Sequence, residues 1–139
     1  MASATSKYRS TRSERIDPNQ DWKSVVTRNY LELEKDYVAN ARALYKDGGA
    51  PLQAFRSLVQ AAGTDGALTH AQKELIALAI SIAIRCEGCI VFHTRACVKL
   101  GVSRAELLDM LGVAVEMGGG PSTVYGAQAL ACYDQMAAA

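Results

Sequence analysis

Net charge is what this chain has least of. Its 15 lysines and arginines stand against 14 aspartates and glutamates, a formal balance of +1. Nucleic acid is therefore not an indicated partner. A small basic cluster near the start, Lys7, Arg9, Arg12 and Arg15, is diluted with Ser and Thr and reads as a solvated tail. The opening "MASATSKYRSTRSER" lacks the apolar stretch a secretory signal needs. The run "LIALAISIAI" (75–84) is too short to cross a bilayer and reads as a buried core helix, so no membrane partner is expected. A cytoplasmic chain is the expectation, and structural disulfides are uncommon in that compartment. Its four cysteines are accordingly expected to be reduced, catalytic or metal-binding rather than staples. Aromatics are also sparse, at 6%, and there is no strand-like alternation and no internal repeat. The apolar half of the composition is mostly Ala, Leu, Val and Ile, which favours helices over a sandwich.

What is present fits one domain. A chain of 139 residues can bury a core without staples. Residues 1–16 read as a flexible polar tail and 17–139 as a single all-α domain, a compact bundle of about six helices. Asp17 or Asp21 is a candidate cap for the first helix, with Pro18 in its first turn. Trp22, Val25, Val26, Tyr30, Leu33, Tyr37, Ala41, Leu44 and Tyr45 recur at helical spacing along it. "DGGAP" (47–51) ends that helix, and Pro51 opens a short second one carrying Leu52, Phe55, Leu58 and Val59. After the turn "GTDG" (63–66), Thr69 and Gln72 make a capping box for the third. That helix is apolar nearly all round from Leu75 to Ile84, which predicts a place at the centre of the fold or in a subunit interface. Gly101 stops the fourth helix, Ser103 with Glu106 makes a second capping box, "GGGPS" (118–122) breaks the fifth, and Pro121 opens the last.

The chemistry concentrates in "RCEGCIVFH" (85–93). On a helix from about Cys86 to Leu100, the residues Cys86, Cys89, Ile90, His93, Ala96, Cys97 and Leu100 share one face. A CxxC at a helix start can close a disulfide with little backbone movement, and the helix dipole there favours thiolate. His93, one turn beyond Cys89, can take the thiol proton or hydrogen-bond the thiolate. Zinc fits less well. Cys86 and His93 would lie roughly 10 Å apart along the axis, so a tetrahedral ion would require residues 86–89 to form a knuckle outside the helix. Cys97 and Cys132 have no partner spacing and read as small core residues. Glu74, near the start of the most apolar helix, is either a carboxylate favoured by the helix N-terminus or a proton acceptor held near the thiols. Ser81, on the same face, either hydrogen-bonds in that site or bonds back to its own helix.

The pattern Glu74–x11–Cys86–Glu87–Gly88–Cys89–x3–His93, followed by "GVSRAELLDMLGVAVEMGGGPS", resembles the carboxymuconolactone decarboxylase-like superfamily on its alkylhydroperoxidase D side, over roughly residues 50–135. The resemblance implies an all-α fold and a homo-oligomer, a trimer or hexamer. It implies a thiol-dependent hydroperoxide reductase in which Cys89 is the peroxidatic nucleophile and Cys86 resolves it to a disulfide. Glu74 and His93 would relay protons. Its partners would be an organic hydroperoxide or hydrogen peroxide and an external dithiol, such as a lipoyl group on another protein. No cofactor and no bound metal are implied. The dipole alone would favour Cys86 as the more acidic thiol; His93 and the resemblance favour Cys89. Related enzymes can carry a second histidine just before the peroxidatic cysteine, where this chain has Gly88. The decarboxylase branch typically lacks the CxxC pair. Two other readings compete: a redox-sensing or zinc-binding module on the same dithiol, and a lyase using His93 and Glu74 with the cysteines incidental.

Overall fold

The computed structural model describes residues 28–139. Six helices follow one another among them: α1 (Tyr30–Asp47), α2 (Gly49–Gly63), α3 (His70–Ala83), α4 (Glu87–Lys99), α5 (Arg104–Gly118) and α6 (Gly120–Ala137). The described residues contain no strand, so the all-α expectation holds.

The helix boundaries follow local hydrogen-bond chemistry. Thr69 and Ser103 each accept a backbone N–H three residues on, and Gln72 and Glu106 reach back to the cap N–H. Both expected capping boxes therefore form, and each satisfies two orphan donors. Pro121 sits in the first turn of α6, where its missing N–H costs nothing. The start of α1 differs from expectation. Its cap is Asn29, in extended backbone, whose side-chain oxygen accepts from the N–H groups of Leu31 and Glu32. The polar tail, the alternative caps Asp17 and Asp21, and Pro18, Trp22, Val25 and Val26 lie outside the described residues. Only Gly48 interrupts α1 and α2, and Pro51 falls within the first turn of α2.

The core lies among the last four helices. Leu78 and Ile82 of α3, Ile90 and Cys97 of α4, Leu107, Leu111 and Ala114 of α5, and Ala129 and Tyr133 of α6 form one buried cluster with Val102. Fully burying a side chain of the Leu or Ile class contributes about 1.5–3 kcal/mol, so this cluster carries most of the fold's stability. The Tyr133 hydroxyl donates to the Val102 carbonyl at 2.6 Å and stays satisfied inside it. Helix α1 packs on the other side of α4 and α6, where Tyr30, Val91, Cys132 and Met136 form a second cluster. An ion pair pins α1 to α4: Arg95 donates to both carboxylate oxygens of Glu34 at 2.6–3.0 Å.

Two surfaces stay apolar and uncovered. Helix α3 buries Leu78, Ser81 and Ile82 but leaves Ile76, Ile80 and Ile84 about half exposed on its opposite face. It is central as expected, yet the described residues cover only half of it. Helix α2 has no buried residue at all; Phe55, Leu58 and Val59 are each more than half exposed.

Candidate functional site

A sharp corner delivers the CxxC segment. Ile84 closes α3, and Arg85 turns left-handed at φ 61°. The Cys86 N–H then donates to the Ser81 carbonyl at 3.0 Å and the Arg85 N–H to the Ile82 carbonyl at 3.2 Å. This is a Schellman ending, in which the left-handed residue is usually glycine. The same motif ends α4, where Gly101 takes that position at φ 74°. Arginine in this region costs about 1–2 kcal/mol. What the corner gains is placement: Cys86 emerges as the N-cap of α4, its sulfur accepting the Cys89 N–H at 3.4 Å.

Cys86 and Cys89 are joined by a disulfide with their Cα atoms 5.2 Å apart. Both are partly buried. They occupy the positive end of α4, where free N–H groups and the helix dipole favour thiolate once the bond is reduced. Glu87, between them, is held from α1 and the residues just before it. Tyr37 donates its hydroxyl to Glu87 at 2.7 Å, and Arg28 pairs with the same carboxylate. That hydrogen bond, followed by burial, pushes the Tyr37 hydroxyl above its usual range. A Cβ on Gly88 would rest against the Tyr37 ring at 3.8 Å, an ordinary contact. Neither Tyr37 nor Arg28 is signalled by the CxxC pattern, because both are distant from it in sequence.

Glu74 and His93 meet, as expected. The His93 Nδ1 lies 2.7 Å from Glu74 Oε2. Glu74 is well shielded, its side chain 15% exposed, and is supplied by α3, while His93 comes from α4 one turn beyond Cys89. With Nδ1–H donating to the carboxylate, Nε2 is the nitrogen left free to serve the Cys89 thiol. The other carboxylate oxygen is taken by a residue the sequence reading passed over. His70 places its Nε2 3.2 Å from Glu74 Oε1. The i, i+4 spacing of His70 and Glu74 was the available signal. Both histidines of the chain thus sit on one carboxylate.

The remaining candidates are structural. The Ser81 hydroxyl donates to the Ala77 carbonyl at 2.7 Å, which settles it as a bond back to its own helix rather than a site contact. Cys97 and Cys132 are free and buried. Burial pushes both thiols up to about 12, with the Glu74 charge adding to the effect on Cys97. Such thiols are protonated and inert at neutral pH. Among the described residues, no three His, Cys, Asp or Glu side chains are placed to share a metal ion, and no helix is long and apolar enough to cross a membrane.

A cavity of about 410 Å3 opens beside the carboxylate, lined by Val59, Gln60, Gly63, Thr64, His70 and Glu74. A larger groove of about 620 Å3 runs between α1 and α2 and reaches Phe92, the neighbour of His93. Val59 and Gln60 line both.

Comparison with known proteins gives a consistent picture. The model of the carboxymuconolactone decarboxylase family matches residues 50–131. A crystal structure of a member of that family from Legionella pneumophila is similar to this chain with a TM-score of 0.75 and 44% identity, over 78% of this chain and 96% of that one. A Thermotoga maritima member, described as having a possible part in an antioxidative response, follows with a TM-score of 0.67 and 27% identity, over 73% of this chain and 89% of that one. An uncharacterized protein of Cupriavidus necator is 39% identical over 87 residues, which is 63% of this chain and 77% of the relative.

Proposed function

Because the chain belongs to the carboxymuconolactone decarboxylase family and carries a dithiol beside a carboxylate-anchored histidine, we propose that it is a thiol-dependent hydroperoxide reductase. The observation that carries this reading is the Cys86–Cys89 disulfide at the start of α4, with His93 one turn on and tied to Glu74 at 2.7 Å. The suggested antioxidative part of the Thermotoga relative agrees with it.

The chemistry runs as follows. His93 Nε2 takes the proton of the Cys89 thiol. The thiolate attacks the terminal oxygen of ROOH, the O–O bond breaks, and ROH leaves with the proton from His93. Cys89 is now a sulfenic acid. The Cys86 sulfur attacks it, the S–S bond forms, and water leaves with the second thiol proton. The sum is two thiols and ROOH to a disulfide, ROH and water. An external dithiol then returns two electrons and two protons. Glu74, bonded to His93 Nδ1, holds the ring in the tautomer this requires.

The working form is a homo-oligomer. Ile76, Ile80 and Ile84 make one exposed stripe on α3, and Phe55, Leu58 and Val59 of α2 stay exposed among the described residues. A second copy burying these surfaces would remove from water a patch of a kind monomers rarely expose.

The test is the intact mass of fully reduced protein before and after one equivalent of an organic hydroperoxide. The expected result is loss of two hydrogens, mapped to Cys86 and Cys89, and no such loss in Cys89→Ser. No change in the wild type, or oxidation spread over Cys97 and Cys132, would refute the reading.

A further inference from the structure

A relay that ends at Glu74 is closed off from water on the side away from the thiols. The carboxylate itself is 15% exposed. Its second partner is not: the His70 side chain is 44% exposed and lines the 410 Å3 cavity together with Glu74. The packing leaves room for this ring. A Cβ on Gly63, at the end of α2, would sit 3.3 Å from His70 Nε2, tighter than an ordinary contact. The His70 backbone is fixed as well, its N–H donating to Asp65 at 2.6 Å. The chain therefore holds an imidazole with one nitrogen on Glu74 and the other unclaimed by any hydrogen bond among the described residues.

Resting on the proposed dithiol chemistry, we infer that His70 is the relay's link to solvent, a proton-exchange residue that acts through Glu74. The two half-reactions place different demands on such a link. In oxidation the two thiol protons end in ROH and water, so none need cross to bulk. Reduction differs. Each thiol of the reductant first loses its proton to water and then attacks sulfur. The S–S bond of Cys86–Cys89 breaks, the reductant closes its own disulfide, and the two cysteine sulfurs leave as thiolates. Two protons must then enter the site. His93 Nδ1 is tied to Glu74 and its Nε2 side is covered once a reductant docks on the disulfide. The path that stays open runs through Glu74 and His70 to cavity water. Before the reductant docks, His93 Nε2 takes a proton from water while Nδ1 gives its own outward through Glu74 and His70. During reduction the flow reverses: Nε2 gives its proton to a thiolate and Nδ1 takes one from Glu74, which restores the Nδ1–H form that oxidation uses.

The test is reduction of the oxidised protein by dithiothreitol, a reaction that needs no peroxide. His70→Gln keeps an N–H donor for Glu74 but cannot carry a proton. Its reduction should slow about a hundredfold, the lower end of what a proton-transfer group contributes, while its oxidation by hydroperoxide changes less than twofold. His70→Gly should show the same defect and regain rate with added imidazole, which can enter from the cavity. Pyrazole has the same shape and far weaker basicity and should not restore it. Equal reduction rates in wild type and His70→Gln would overturn the assignment. So would equal rescue by pyrazole, which would make His70 a space-filling group. A wild type that ignores hydroperoxide yet is reduced faster than His70→Gln would retire the peroxidase reading and sustain the role of His70.

Discussion

Glu74→Gln changes one oxygen to an amide nitrogen at the point where two helices and two histidines meet. In the native site each carboxylate oxygen accepts from a different imidazole, at 2.7 Å for His93 and 3.2 Å for His70. Glutamine offers one acceptor and one donor. It can satisfy one N–H as before, but it presents the other ring with a donor of its own, and the negative charge is gone. A hydrogen bond to a charged group is worth about 1.5–3 kcal/mol, and each 1.36 kcal/mol in a barrier is tenfold in rate. Losing the charge-assisted bond on His93 should therefore slow peroxide-driven disulfide formation by about ten- to a hundredfold. The stability cost is smaller, about 1 kcal/mol, because water can reach the His70 side of the pair. The assay is a single turnover of reduced protein with excess hydroperoxide, quenched by alkylation at timed intervals and read as intact mass. Thermal melting is run in parallel. A variant within threefold of wild-type rate, at unchanged melting temperature, would refute the idea that Glu74 holds His93 in its working tautomer.

Three further outcomes follow from the packing. Arg85→Gly should stabilise the protein by about 1 kcal/mol, since it relieves a left-handed arginine at a helix ending; a lower denaturation midpoint would show that the arginine side chain contributes something the backbone argument omits. Glu34→Gln breaks the two-pronged contact from Arg95, whose partners are each about one-fifth exposed, and should cost about 2 kcal/mol in chemical denaturation; a change under 0.5 kcal/mol would mean that the apolar contacts alone hold α1 in place. Burial raises Cys97 and Cys132 from 9.0 to about 12, so between those pH values the unfolded chain releases two thiol protons that the folded chain keeps. Stability is then full below pH 9 and falls as pH rises, by about 1.4 kcal/mol per pH unit for each thiol. Cys97→Ala should make the alkaline slope shallower by that amount, and brief alkylation of reduced protein at pH 8 should label Cys86 and Cys89 alone.

Sequence carried the fold furthest where a signal and its partner lie within one helical turn. The boxes Thr69–Gln72 and Ser103–Glu106 are complete in four residues each, and the structure forms both. The pairing of Glu74 with the Cys86–Cys89–His93 segment came from the family resemblance; its own position in the first turns of a helix left it equally a carboxylate favoured by the helix N-terminus. His70 was not legible, although it stands four residues before Glu74, since a histidine in the first turn of a helix is more often a surface residue. Arg85 gave no warning either: arginine does not prefer left-handed backbone, and the turn is imposed by the hydrogen bonds of Ser81 and Ile82. The apolar faces of α2 and α3 were legible as faces to be buried, but the described residues leave them uncovered. The start of the first helix was misplaced because several polar residues between Asp17 and Asn29 offer equivalent caps.

Helix α2 has one more consequence. It walls the cavity beside Glu74 and His70, yet it contributes nothing to either buried cluster. Local opening of a segment costs only the contacts that segment makes. The wall over the relay is thus the cheapest of the six described helices to detach, while the four-helix core keeps the disulfide and His93 in register beneath it. In amide hydrogen exchange, residues 49–63 should behave as a separate unit that exchanges ahead of the rest, and their protection should rise with protein concentration as a second copy covers them. Access to the proton path would then be governed by assembly rather than by the stability of the fold.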